Sequence, residues 1–189
     1  MFHYARRTAR AARRFCRTTK EKKMSSAEVI AETFAALDAG DYETAAGLLD
    51  REFEFSGPTL QPLGAKEFIA FESALRSAMP NLKHNCLVYS TEDGDWVRGQ
   101  VQIAGTHRRP LDLPNLPILA ATRKRVKLPA ERFVAVVRDG RIVSFAADVG
   151  PDGGLMGILK QLGRDDLADC VGAGGRDCIE ESFQPGVHV

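Results

Sequence analysis

The apolar residues of this 189-residue chain change their period once, and that change limits the folds open to it. Between residues 26 and 79 they recur every three or four positions; between residues 85 and 149 they recur every second position. The first spacing lines one stripe of a helix, and the second lines one face of a strand. Val29, Ile30, Phe34 and Leu37 follow the helical rule, as do Phe68, Ile69, Phe71, Leu75 and Met79. Val97, Gly99, Val101, Ile103, Gly105 and His107 follow the strand rule, with Trp96, Arg98, Gln100, Gln102 and Thr106 on the opposite face. Helices and strands segregated in this way predict an α+β domain: three N-terminal helices backing a curved antiparallel sheet. The cone between them is where a ligand would sit.

Punctuation residues set the expected boundaries. Ser26 suits the N-cap of a first helix, Gly40 its stop, and Asp41 the N-cap of a second helix running through Leu48 and Leu49. A short strand over residues 52–55 ends at Gly57-Pro58, and a third helix follows Gly64 until Pro80 breaks it. Strands are expected over residues 85–91, 96–106, 130–138 and 141–149. Asp139-Gly140 is a strong two-residue hairpin signal between the last two. A helix over residues 155–162 stops at Gly163, and the glycines beyond it make residues 164–189 read as a loose tail. The connector around Pro110–Pro117 is unusually apolar for a loop and is expected to fold over the sheet edge or across a dimer interface.

Charge separates the ends from the middle. Residues 1–23 hold nine basic side chains and one acid, a net +8, so residues 24–189 carry −7. The mildly acidic body gives no reason to expect nucleic-acid binding, and no apolar run reaches the ~20 residues of a membrane span. The leader is Arg-rich and amphipathic, with no acid before Glu21. It fits an organelle transit peptide, a solvated basic tail, or an upstream extension of a protein that starts at Met24. The expected location is accordingly soluble and intracellular: an organelle in the first case, the cytoplasm otherwise. Cys16, Cys86, Cys170 and Cys178 form no CxxC pair and have no histidine at ligand spacing. Free thiols are expected, with a Cys170–Cys178 bridge possible only if the tail folds back, and neither a metal nor another cofactor is expected.

Several short strings together suggest a family. Ala36-Leu37-Asp38-Ala39-Gly40-Asp41-Tyr42 and Leu63-Gly64-Ala65-Lys66-Glu67-Phe68 resemble helix starts and stops of NTF2-like proteins. Met79-Pro80-Asn81-Leu82, Asp93-Gly94-Asp95-Trp96-Val97, Gly105-Thr106-His107, Asp139-Gly140-Arg141-Ile142-Val143 and Gln161-Leu162-Gly163 are similar to the SnoaL-like polyketide cyclase branch of that superfamily. The resemblance covers about residues 26–163. It implies a cone-shaped α+β fold, often a homodimer through the sheet, and a pocket for a small apolar or polyketide-like ligand. It does not imply one reaction, since the fold hosts cyclases, isomerases, dehydratases and non-catalytic binders.

The resemblance also implies an aspartate near the end of the last strand as the general acid/base of cyclases. In this chain that position falls at Gly150, and Phe145-Ala146 stand where such members often carry His-Trp. Asp148, two residues earlier, is the candidate stand-in. His107, at the inward-facing end of its strand, is the candidate partner or else a histidine that only satisfies a backbone group of the following loop. Val101, Ile103 and Phe145 are expected to line the pocket, and Asn85 and Tyr89 either to offer it hydrogen bonds or to lie on the outer face. His84 is read as solvated. Two functions follow: a cyclase- or isomerase-type acid–base enzyme acting on a carbonyl compound, or a non-catalytic binding or dimerisation module built on the same cone.

Overall fold

The computed structural model describes residues 24–59, 61–92 and 95–172. Helix α1 (Ser26–Ala39) starts one residue earlier than the sequence suggests, because Ser25 rather than Ser26 is its N-cap. Ser25 Oγ accepts from the Glu28 amide at 3.3 Å, and Glu28 Oε2 accepts from the Ser25 amide at 2.7 Å. This reciprocal box needs an acid three residues after the cap, which Ser25 has. Gly40 ends α1 in the left-handed conformation (φ 79°), and Asp41 then caps α2 (Tyr42–Gly47) through the Thr44 amide at 3.0 Å. Helix α2 ends before Leu49, which opens strand β1 (Leu49–Ser56). Helix α3 (Ala65–Ala78) follows.

Next come strands β2 (Lys83–Glu92), β3 (Trp96–Thr106), β4 (Arg125–Lys127), β5 (Glu131–Arg138) and β6 (Arg141–Asp148), then helices α4 (Gly154–Leu162) and α5 (Asp165–Gly172). The sheet is curved and unclosed, in the order β1-β6-β5-β3-β2, with β4 pairing on β3. All pairings are antiparallel except β1 with β6. Asp139 and Gly140 both have positive φ (49° and 76°), the geometry that lets a two-residue turn match the twist of β5 and β6.

Two apolar clusters fill the interior. The first joins α1 to the sheet through Val29, Ile30, Phe34, Leu37, Phe53, Phe133 and Phe145. The second joins α3, β4, α4 and α5 through Leu75, Met79, Val126, Ile158, Leu159 and Leu167. The apolar connector belongs to this second cluster: Leu111 and Leu119 pair by backbone hydrogen bonds, and both are buried with Leu113. It closes over the chain's own core. Residues after Gly163 are not uniformly loose either. Leu167 and Ala168 of α5 are buried against the second cluster, because an apolar pair at the start of a helix gains more by packing than by exposure. The leader at residues 1–23 and the last part of the tail lie outside the described residues, as do the side chain of Cys170 and the whole of Cys16 and Cys178.

Candidate functional site

A cavity opens at the seam between the two clusters. Phe34, Phe55, Phe68, Phe71 and Phe145 supply aromatic walls, and Val101, Ile103, Leu155 and Ile158 supply aliphatic ones. The enclosed space is narrow and opens to solvent at its mouth. The packing behind the Phe145 wall depends on Gly99. Phe133 lies across β3 at that point and stacks on Phe145 with ring centroids 4.6 Å apart, and a Cβ on residue 99 would run into the Phe133 ring. The polar lining consists of His84, Glu72 and Glu131, all buried.

His84 enters from the second position of β2, where it shares the inward face with Cys86 and Val88. Asp38, next to last in α1, reaches it from behind. Asp38 Oδ1 accepts from the His84 backbone amide at 2.9 Å and from ring Nδ1 at 3.0 Å, while Lys83 Nζ meets Asp38 Oδ2 at 3.5 Å. On the other side His84 Nε2 lies 3.1 Å from Glu72 Oε2. There the two groups meet as an ion pair of opposite charges. A carboxylate facing each ring nitrogen leaves no acceptor role for either, and the imidazole keeps both protons. Burial alone would push its pKa down. The charge of Glu72, then the hydrogen bond and charge of Asp38, outweigh burial and bring it up to about 9. Burial would likewise raise Asp38, but the hydrogen bonds and charge of His84, with help from Lys83, hold it below the usual carboxylate value.

Glu72 stands on the buried stripe of α3 among Phe68, Leu75 and Ala78. Glu131 opens β5 and alternates inward with Phe133, Ala135 and Val137. Its Oε1 accepts from the Gly154 amide at 2.7 Å, at the first residue of α4, where the N-cap Gly153 has no side chain to do so. Gly153 and Gly154 pack against the Glu131 carboxylate and Pro58 so closely that side chains there would collide with them. Burial pushes the Glu131 carboxyl up, only partly opposed by that hydrogen bond. On β2, burial also pushes the Cys86 thiol up to about 11, and it is free.

The family model for the SnoaL-like domain matches residues 30–145, well over half of the chain. The protein belongs to the SnoaL-like domain family. Solved structures agree on the fold. IdmH from Streptomyces antibioticus, provisionally described as a polyketide cyclase, is 21% identical with a TM-score of 0.55, covering 72% of this chain and 97% of that one. A protein of Pseudomonas putida KT2440 with the same provisional description is 19% identical, with a TM-score of 0.56 and coverage of 67% and 92%. AclR from Streptomyces galilaeus, provisionally described as a hydroxylase, is 15% identical, with a TM-score of 0.56 and coverage of 72% and 93%. Among curated proteins there is no significant match.

Within this SnoaL-like domain the residues expected to form the site separate into three groups. Val101, Ile103 and Phe145 line the cavity. Asn85 and Tyr89 do not: both are exposed with Leu87, on the face opposite His84, Cys86 and Val88. Asn85 donates to the Gln102 carbonyl at 3.3 Å, and Tyr89 is the residue skipped where the β2–β3 register shifts. Asp148 lies after the same kind of irregularity. Val136 pairs with Ser144 and Val137 with Ile142, so the register skips Val143. Strict alternation from the buried Ile142 would turn residue 148 inward; the extra residue turns Phe145 and Ala147 inward and leaves Asp148 exposed.

His107 is fully buried but is not part of the cavity lining. Its Nδ1 accepts from the Thr122 amide at 3.2 Å and lies 3.1 Å from Thr122 Oγ1, and its backbone pairs with Arg123 and Lys124. It fastens the ends of the apolar connector. Burial lowers its pKa against an opposing contact with the Arg109 backbone. Asp148 and His107 therefore do not converge on the cavity. The polar groups that do reach it, His84, Glu72 and Glu131, were not among the expected site residues, and His84, read as solvated, is enclosed by α1 and α3. Glu72 had a signal: it occupies a full place in the 68-72-75-79 stripe, where a solvated acid has no reason to be.

Proposed function

We propose that this SnoaL-like domain binds a small, mostly apolar molecule in the cavity between its helices and sheet. The observation that carries this reading is an aromatic-walled hollow into which three buried ionisable side chains project. Of the two uses of such a hollow, non-catalytic binding has the stronger geometric support. His84 is held charged near neutral pH by two carboxylates, which makes it a fixed charge rather than a proton carrier. Asp148 is exposed to solvent, and His107 is committed to the connector. A cyclase- or isomerase-type step on a carbonyl compound, the second reading, draws on the descriptions of the proteins that share the fold. It would have to use a carboxyl inside the cavity, and Glu131 has the proton affinity, raised by burial, that such a role needs.

The test is a set of 1H–15N spectra of the labelled protein with small cyclic ketones and alcohols. Binding is expected to move the amides of Ala147, Gly154, Leu155 and Ile158, and Ala147→Trp, which fills the hollow, is expected to abolish those shifts. Shifts confined to other surfaces, or unchanged by the filling variant, would remove the reading.

Two further readings concern assembly and location. The outer sheet face exposes Leu87, Tyr89 and Trp96, side chains that favour an apolar partner, and a homodimer through this face fits them. Sedimentation of the wild type and of Trp96→Arg tests it, with a monomeric wild type as the refuting result. Among the described residues no helix is long and apolar enough to cross a membrane. Removal of residues 1–23 on import into an organelle is one reading that fits their Arg-rich, acid-poor composition, beside a basic tail or a start at Met24, and N-terminal sequencing of the native protein decides between them.

A further inference from the structure

We propose that the cavity selects a ligand with a cationic head, a protonated amine on a small apolar body, held against Glu131. This inference rests on the reading that the cavity binds a small molecule and names the class it prefers.

The argument is a count of charge at close quarters. Three carboxylates stand in or directly behind the cavity wall: Asp38, Glu72 and Glu131. Against them stands one imidazolium, His84, wedged between Asp38 and Glu72, with Lys83 reaching Asp38 from the rim. No Lys or Arg lines the hollow among the described residues. His84 and Lys83 between them answer Asp38 and Glu72, and among the described residues no cation is seen to pair with Glu131. Among the described residues its hydrogen bond comes from the neutral Gly154 amide. A carboxylate only 5% exposed and lacking a counter-charge is costly to keep.

The cap on α4 does not need that charge, because an amide oxygen would accept the Gly154 N–H equally well. The charge is therefore available to a partner from outside. An anion would meet the same surplus as repulsion, and a neutral alcohol or ketone would leave the charge unanswered. A protonated amine answers it. The phenyl rings of Phe55, Phe68 and Phe145 among the walls suit both the apolar body of such a ligand and its cationic end, which aromatic faces attract.

Three probes of one size separate the possibilities: benzylamine, benzyl alcohol and benzoate, titrated into the 15N-labelled full chain at pH 7. The Gly154 amide reports directly, since it is bonded to Glu131. Benzylamine is expected to bind about tenfold more tightly than benzyl alcohol, the scale of one charge-assisted contact, and benzoate to bind more weakly than both. Glu131→Gln keeps the cap and is expected to bring the amine down to the affinity of the alcohol. An alcohol that binds as well as the amine in the wild type overturns the proposal without any variant, and so does an amine preference that survives in Glu131→Gln. If none of the three probes moves a cavity amide, the binding reading itself falls, and the cationic preference falls with it.

Discussion

The charged His84 ties the stability of this domain to pH in a window where few other groups act. Its pKa is about 9 in the folded chain and near 6.5 when unfolded, so folding binds a proton more tightly. A group raised in this way stabilises fully below its unfolded value, and its contribution is lost as pH climbs through the folded value. The window is therefore about pH 6.5 to 9. At about 1.4 kcal/mol for each tenfold gain in proton affinity, the contribution below the window is roughly 3 kcal/mol. That is a large part of the ~5–15 kcal/mol typical of a whole domain.

The neighbouring groups act elsewhere. Asp38 is lowered, so its contribution is lost only as pH falls below the usual carboxylate range. Glu131 is raised, so its effect changes over the acid range above its unfolded value. Cys86, raised to about 11, destabilises only above about pH 9, which sets the upper end of a clean scan. Urea unfolding followed by circular dichroism between pH 6 and 9 should show the wild type losing roughly 3 kcal/mol. Glu72→Gln, which removes the largest charge holding the proton on His84, should flatten that slope and lower the NMR midpoint of the His84 ring. A wild-type stability that is level from pH 6 to 9, or a His84 ring that titrates near 6.5, would refute the reasoning.

Three other outcomes follow from the packing. Glu131→Ala leaves the Gly154 amide without its acceptor and should cost about 1–3 kcal/mol, while Glu131→Gln should cost less than about 1, both by urea unfolding. Gly99→Ala pushes a methyl into the Phe133 ring and the Leu87 carbonyl and should destabilise by about 1–3 kcal/mol or more, with the ring signals of Phe133 and Phe145 shifting. Asp148→Asn should stay within about 0.5 kcal/mol of wild type and leave the ligand titrations unchanged, because its side chain stands in solvent on the far face of β6.

Much of the architecture is legible without coordinates because it rests on local rules. Helical spacing before Gly40 and after Gly64, period two in β2, β3, β5 and β6, and the Asp139-Gly140 turn each encode their element within a few residues. What escaped was short or irregular. Strand β4 is three residues with one buried side chain, Val126, between two exposed basic ones, too brief for a period to show. The two skipped residues, Tyr89 and Val143, leave no mark in composition, yet the second changes which face the rest of β6 presents.

The sequence by itself determined an α+β domain with an apolar inner sheet face, since periodicity and turn chemistry are properties of neighbouring residues. Val101, Ile103 and Phe145 on the cavity wall belong to that account. Only the tertiary structure decided which polar groups meet there. Asp38, Glu72 and His84 come from three separate elements, and Glu131 reaches the end of α4 across 23 residues of chain. No local pattern encodes such a meeting. Burial also sets its chemistry, because the same His84 and Glu131 in water would carry ordinary pKa values. The carboxylates of Asp38 and Glu72, outweighing burial, make a fixed charge of the first, and removal of water alone raises the proton affinity of the second.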